Sequence, residues 1–198
     1  MNICFVDTET TGTDKERSGL IQLAGAIAIE GKIVERFNLT AAPFDDDLIA
    51  EEALQVNGLT KGIIRGYQEP RRAYLIFIKM LGQYVDKYNP RDKFQLCGFN
   101  GDFDADMIRS WFKKNGDDYF GSWFWWPVID VAKLAGIRYM DTRGQLPNFR
   151  LTTVAKFAGL EVDQAKAHDA MYDIDLTMRL FEMFTRDLTN LDFKLEFA

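Results

Sequence analysis

The sequence contains one histidine in 198 residues, two cysteines and five prolines. It has no run near the roughly 20 consecutive apolar residues that a membrane-spanning helix requires, and its first residues lack the basic segment and apolar stretch of a secretory leader. These absences predict a soluble, cytoplasmic protein with no membrane partner. The cysteines, Cys4 and Cys97, sit in separate apolar runs without metal-ligand spacing. That argues against a disulfide framework or a thiolate metal site and for buried, reduced thiols. Positive charge is also scarce: 24 Lys and Arg stand against 30 Asp and Glu, a formal net charge of −6. A protein that wraps a duplex uses Lys and Arg to release counterions from phosphates. The acidic balance fits a different contact, in which a carboxylate site loaded with cations grips a chain end.

Apolar material is plentiful, at 47% hydrophobic and 14% aromatic residues, enough to bury a core within a single domain over residues 1–198. Ile3–Thr8 is apolar on both faces, Ile3 and Phe5 on one and Cys4 and Val6 on the other, which is the pattern of a central strand. Leu20–Ile29 and Ile33–Leu39, separated by Glu30 and Gly31, predict a hairpin. A short helix is expected near Leu48–Leu54. A long one is expected over Arg71–Tyr88, with Leu75, Ile78, Leu81 and Val85 on its inner stripe. A strand at Phe94–Phe99 follows. Further helices are predicted over Asp104–Lys114, Val128–Ala135 (entered through Pro127), Leu151–Ala158 and Ala170–Leu188. Strands first and alternating helices and strands afterwards indicate an α/β sandwich with mixed strand directions.

The chemistry is concentrated in acids. Asp7 and Glu9 close the first strand in Asp7-Thr8-Glu9-Thr10-Thr11-Gly12, and strand alternation sends both carboxylates to one face with Cα atoms roughly 6–7 Å apart. Alone, such a pair more often solvates a strand end. A second acidic group follows the fourth strand. In a helix starting near Asp104, that residue shares its stripe with Met107, Ile108, Trp111 and Phe112 and therefore points inward. Asp106 falls on a polar face with Arg109 and Lys113, and Asp102 reads as a cap or loop residue. In the last helix Asp173 lies with Leu176, Thr177, Leu180 and Phe184, again inward, whereas Asp175 reads as surface. Four inward carboxylates from three segments, with no Lys or Arg among them, repel by ~1–4 kcal/mol per close pair and need cations or shared protons. Oxygen-only donors select Mg²⁺ or Mn²⁺ over zinc. His168, five residues before Asp173, is expected just before the helix or in its first turn, from where it swings toward the site.

Together these segments resemble the DEDD exonuclease superfamily in its histidine-containing branch, and are similar to the proofreading epsilon-subunit type. The motifs are Asp7-Thr8-Glu9-Thr10-Thr11-Gly12, then Asn100 with Phe103-Asp104, then His168 ahead of Asp173. The tyrosine branch would carry Tyr where Asp169 stands. The likeness spans roughly residues 1–185, leaving a strand-like tail at 189–198. It implies a ribonuclease-H-like fold with a five-stranded mixed sheet flanked by helices. It also implies two divalent ions, Mg²⁺ or Mn²⁺, held by Asp7, Glu9, Asp104 and Asp173, with His168 as general base in hydrolysis of a terminal phosphodiester. Thr10, Thr11 and Gly12 would hold the terminal nucleotide and Asn100 would support the second motif. The expected partner is a nucleic-acid 3′ end, single-stranded DNA first and RNA as the alternative, with a polymerase or a second copy as further candidates. A non-catalytic end-binding module is the remaining reading.

Three features stay open. The aromatic cluster Trp111, Phe112, Tyr119, Phe120, Trp123, Phe124, Trp125 and Trp126 is either a stacking platform for bases or core and interface packing. Arg138, Arg143, Arg150, Lys156 and Lys166 either guide a phosphate backbone or are a solvated surface. The alternating segment 191–197 either packs on its own domain or pairs with a sheet edge or partner.

Overall fold

The structure is a computed structural model that describes residues 1–163, 165 and 169–188. His168 and the strand-like segment 191–197 lie outside the described residues. The segment that is apolar on both faces becomes β1, Asn2–Thr10, in the middle of a five-stranded mixed sheet. β2 (Leu20–Ile29) pairs antiparallel with β1, and β3 (Lys32–Thr40) antiparallel with β2, as the hairpin pattern predicts. β4 (Gln95–Gly98) runs parallel to β1, and β5 (Ile129–Asp130) parallel to β4. The order is β3-β2-β1-β4-β5.

Eight helices flank the sheet among the described residues. α1 (Glu51–Val56), α2 (Lys61–Arg65) and α3 (Pro70–Leu81) lie between β3 and β4 in the chain. α4 (Gly101–Lys114) and α5 (Phe120–Trp123) follow β4, and α6 (Val131–Arg138), α7 (Leu151–Phe157) and α8 (Ala170–Leu188) follow β5. Each face of the sheet carries its own core. Cys4, Val6, Leu23 and Ile27 meet Tyr74, Phe77, Ile108, Trp111 and Phe112 on one side. Ile3, Phe5, Ala24, Ala26 and Ala28 meet Val131, Val154, Ile174, Leu180 and Phe184 on the other. The alanines of β2 leave room for α8 to lie close to the sheet, where Phe181 meets Phe5 edge-on at 5.5 Å. No helix among the described residues is long and apolar enough to cross a membrane.

The structure corrects several expectations. The long helix ends at Leu81, capped by Gly82, instead of continuing to Tyr88. It buries Ala73, Tyr74, Phe77 and Leu81, leaving Leu75 47% exposed. Both stripes satisfy helical spacing, and the aromatic one removes more apolar area from water. The helix expected at Val128 starts at Val131, because the Asp130 carboxylate caps it through the Ala132 N–H (2.9 Å). Residues 129–130 instead pair with β4 as the fifth strand, too short to show any period. α4 begins at Gly101, which places Asp102 in its first turn, paired with Lys133.

Gly25 shows how tightly the first face is packed. A Cβ there would lie 2.2 Å from the Phe5 carbonyl oxygen and 2.4 Å from Cζ of Phe37, the ring that covers the sheet beneath Phe77. Gly25→Ala should therefore lower the denaturation free energy by about 1–3 kcal/mol or more, the usual penalty of overpacking. An unchanged urea midpoint would contradict this packing.

Candidate active site

The end of β1 carries the site because β1 is held on both edges and both faces. Alternation puts Asp7 and Glu9 on the α8 side with Ile3 and Phe5, and Thr8 on the α4 side with Cys4 and Val6. Pairing with β2 breaks register between Glu9 and Thr10, an irregularity of the kind that re-aims side chains beside active sites. Asp104, 4% exposed on the inner face of α4, is gripped by Thr8: one carboxylate oxygen accepts from the Thr8 N–H (2.9 Å) and hydroxyl (2.7 Å). Gly98 permits this approach. A Cβ there would stand 3.0 Å from the Val6 carbonyl and 3.3 Å from the other Asp104 oxygen. Asp173 comes from the opposite face, in the first turn of α8, whose start is capped by Asp169 through the Met171 and Tyr172 N–H groups (3.0 and 3.1 Å).

The structure thus brings Asp7, Glu9, Asp104 and Asp173 into one electrostatic neighbourhood. Burial, then the charges of Asp104, Glu9 and Asp173, hold the Asp7 carboxyl well above the usual range. Burial and then Asp173 push Glu9 up to about 7. Asp104 is also pushed up to about 7 by burial, with Glu9 adding to the rise against the lowering effect of its Thr8 hydrogen bonds. Among the described residues, no Lys or Arg forms an ion pair with Asp7, Glu9 or Asp104. Three lysines of the neighbouring segments pair with other acids: Lys15 with Asp106 (2.8 Å), Lys114 with Asp47, and Lys133 with Asp102. Nor do any three described Asp, Glu, His or Cys side chains form a ready-made metal cage. The acids share a field without closing on one another, as like charges do.

The remaining candidates divide clearly. The Thr11 hydroxyl donates to the Leu48 carbonyl (2.5 Å) and accepts from the Gly19 N–H (2.7 Å), while its backbone bonds Gly19 and Ala50. It therefore builds the loop. The Thr10 hydroxyl donates to the Gly12 carbonyl (2.7 Å). Asn100 caps α4 in the left-handed conformation (φ 64°), its N–H donating to Asp130 (3.0 Å). Asp106 and Asp175 are surface residues as expected, paired with Lys15 and Arg36. Tyr172 packs in the second core, and its hydroxyl accepts from the Asp163 N–H (2.7 Å). Sequence reasoning missed two supporting residues. Thr8 could have been found because the residue between two paired acids faces the other way, toward the helix that brings Asp104. Asp130, which ties α4 and α6 to the sheet end, carries the ordinary signal of a helix cap.

A family model described as an exonuclease of the RNase T type matches residues 4–181. The chain belongs to the exonuclease family. This membership places it in the DEDD superfamily. The exonuclease is 26% identical over 186 residues to the DNA polymerase III PolC-type of Halalkalibacterium halodurans, covering 94% of this chain and 11% of that protein. It is 25% identical over 182 residues to Ribonuclease T of Shewanella frigidimarina, covering 89% and 78% respectively. Among solved structures it is similar to E. coli exonuclease I in complex with a dT13 oligonucleotide, with TM-score 0.73, 22% identity, and coverage of 96% of this chain and 42% of that one. The exonuclease therefore spans about a tenth of the PolC-type relative and under half of exonuclease I. The last likeness establishes the ribonuclease-H-like fold.

The raised carboxyls set the sign of a pH effect. Glu9 titrates in the ordinary carboxylate range when unfolded and near 7 when folded. Between those values the folded state binds more protons, so stability falls as pH rises, and the full penalty applies above about 7. In chelator at pH 8, Glu9→Gln should raise the melting temperature by roughly 2–4 °C per kcal/mol of the cost of its buried charge that is removed. At pH 4 the difference should vanish. A gap independent of pH would show that the buried, repelled charge is not its source.

Proposed function

We propose that this chain is a metal-dependent 3′→5′ exonuclease that hydrolyses terminal phosphodiesters, mainly of single-stranded DNA, and releases nucleoside 5′-monophosphates. The observation that carries this reading is the set of acids at the end of β1, where burial and mutual charge hold Asp7 well above its ordinary range and push Glu9 and Asp104 up to about 7, with no basic side chain paired to those three among the described residues. Such a donor set fits divalent cations. All its donors are hard oxygens, and cations of Mg²⁺ or Mn²⁺ type would convert the repulsion into attraction. What two such ions supply when bound is a water of lowered pKa and stabilisation of charge on the departing 3′ oxygen.

The chain's own residues do the rest. Asp7, Glu9, Asp104 and Asp173 would hold the ions. Thr8 fixes the direction of Asp104 through the one carboxylate oxygen it grips. His168, next to the Asp169 cap in sequence, accepts the proton of the attacking water. Thr10 and Gly12 receive the terminal nucleotide on a loop kept in shape by Thr11, while Asn100 orients the start of α4. Exonuclease I supports single-stranded DNA as substrate, having been solved with oligonucleotides, and a zinc-bound form of its complex with single-stranded DNA supports the metal reading. A second reading, hydrolysis of RNA, is favoured by one observation: Ribonuclease T is matched over most of its length.

Digestion of end-labelled DNA and RNA oligonucleotides, single- and double-stranded, tests sugar, strandedness and polarity together. The expected result is stepwise loss from the 3′ end of single-stranded DNA, silenced by EDTA and restored by Mg²⁺ or Mn²⁺. Asp7→Ala should abolish turnover. His168→Ala should slow it about 10²–10⁴-fold. Chelator-resistant cleavage would overturn the metal mechanism, and full activity of the histidine variant would remove His168 from it.

A further inference from the structure

The aromatic run after α4 divides in the structure. Trp111, Phe112, Phe120, Trp123 and Phe124 are core, while Tyr119, Trp125 and Trp126 reach the surface. Trp125 and Trp126 are far from the carboxylates. The Phe94 N–H donates to the Trp123 carbonyl and the Trp125 N–H to the Phe94 carbonyl, both at 2.9 Å, which fixes this segment beside the start of β4. Gln95 pairs with Ile3, so Asp7 lies four residues further along β1, roughly 13 Å away at the strand rise. The exposed tryptophans therefore sit at the opposite end of the sheet from the acids.

Three cations gather at that end in a protein of net negative charge. Lys87, Arg91 and Lys93 lie on the loop between α3 and β4, and among the described residues none of them forms an ion pair with an acid. The two acids of the loop are turned onto its own backbone, Asp86 accepting from the Tyr88 N–H (3.0 Å) and Asp92 from the Asp86 N–H (2.9 Å). Cations alternate with rings: Lys93 Nζ stands 5.2 Å from the Trp125 ring, and Lys87 Nζ 5.3 Å from Tyr88 and 5.6 Å from Trp123. A cleft of about 390 Å³ lies between Met1, Asn2, Arg91, Asp92, Lys93, Gln95 and Trp125, its one acid being the Asp92 that accepts from the Asp86 N–H. Tyr88 is 84% exposed and Trp126 76%.

We infer that this surface is a second binding site for single-stranded nucleic acid, one that holds the strand upstream of the end being cut. Exposed rings offer stacking to any base, and cations among them meet the intervening phosphates. Trp, Tyr and Arg also anchor protein interfaces. Here, three cations that form no ion pair among the described residues, on a molecule of net negative charge, favour a polyanion. The assignment rests on the exonuclease reading. A strand reaching from the acids to this patch needs at least about four nucleotides at ~3.4 Å each, and more around the curved surface.

The test compares oligonucleotides of about 4 and about 20 nucleotides on the wild type and on Arg91→Glu/Trp126→Ala, both changes being at exposed positions. With the long substrate the variant should show KM raised about tenfold at unchanged kcat. Its salt dependence should be shallower by about 0.7 in log–log slope for the lost phosphate contact. With the short substrate it should match the wild type. Equal effects on both lengths, or none on either, overturn the assignment. Binding of the long oligonucleotide in EDTA, read by tryptophan fluorescence, tests the patch without catalysis. Weaker binding by the variant supports the patch even if 3′-end cleavage itself were to fail, and equal binding overturns it.

Discussion

Repulsion between carboxylates at the end of a strand that cannot move is the constraint around which this molecule is organised. β1 is paired on both edges and buried on both faces, so Asp7 and Glu9 cannot turn away from Asp104 and Asp173 without breaking the sheet. The result is an unfavourable concentration of charge held by favourable packing elsewhere. Burial first, and neighbouring acids after it, push Glu9 and Asp104 up to about 7. The proposed cation site rests on this arrangement, since like charges held together are relieved when positive charge arrives.

The two cores perform different parts of this task. On one face α4 descends from β4 through Gly98 and presents Asp104 to Thr8, so the strand residue between the paired acids becomes the clamp for a third. On the other face, β2 carries alanines that let α8 settle close to the sheet, bringing Asp173 toward Glu9. The sheet thus acts as a partition across whose edge the acids meet. Asp130, at the end of the shortest strand, ties the starts of α4 and α6 to the same rim, so the second motif is positioned by hydrogen bonds to backbone as well as by apolar burial.

Charge is also distributed along the strand direction. Negative charge collects at the carboxyl ends of β1 and β4, where open α/β sheets ordinarily place their ligands. Lys87, Arg91 and Lys93 collect with exposed aromatic rings at the other end. The net charge of −6 therefore describes an average of two unlike surfaces. The two proposed contacts with a polyanion, through cations held by the acids at one end and through side chains at the other, follow this division.

The sequence by itself determined the central strand, the hairpin, the last two long helices and the inward direction of Asp104 and Asp173. Each of these follows from periodicity, which depends only on local backbone geometry. It also carried the exonuclease resemblance, through the order of its motifs. What it could not determine was set by long-range competition. Two residues at Ile129 and Asp130 become a strand only because β4 offers them a partner. The inner stripe of α3 is Tyr74 and Phe77 rather than Leu75 because those rings find Trp111, Phe112 and Phe37. The separation of the aromatic cluster into core and surface had the same origin, as did the role of Thr8. Which neighbours a side chain meets depends on residues nearly a hundred positions away, and only the folded chain brings them together.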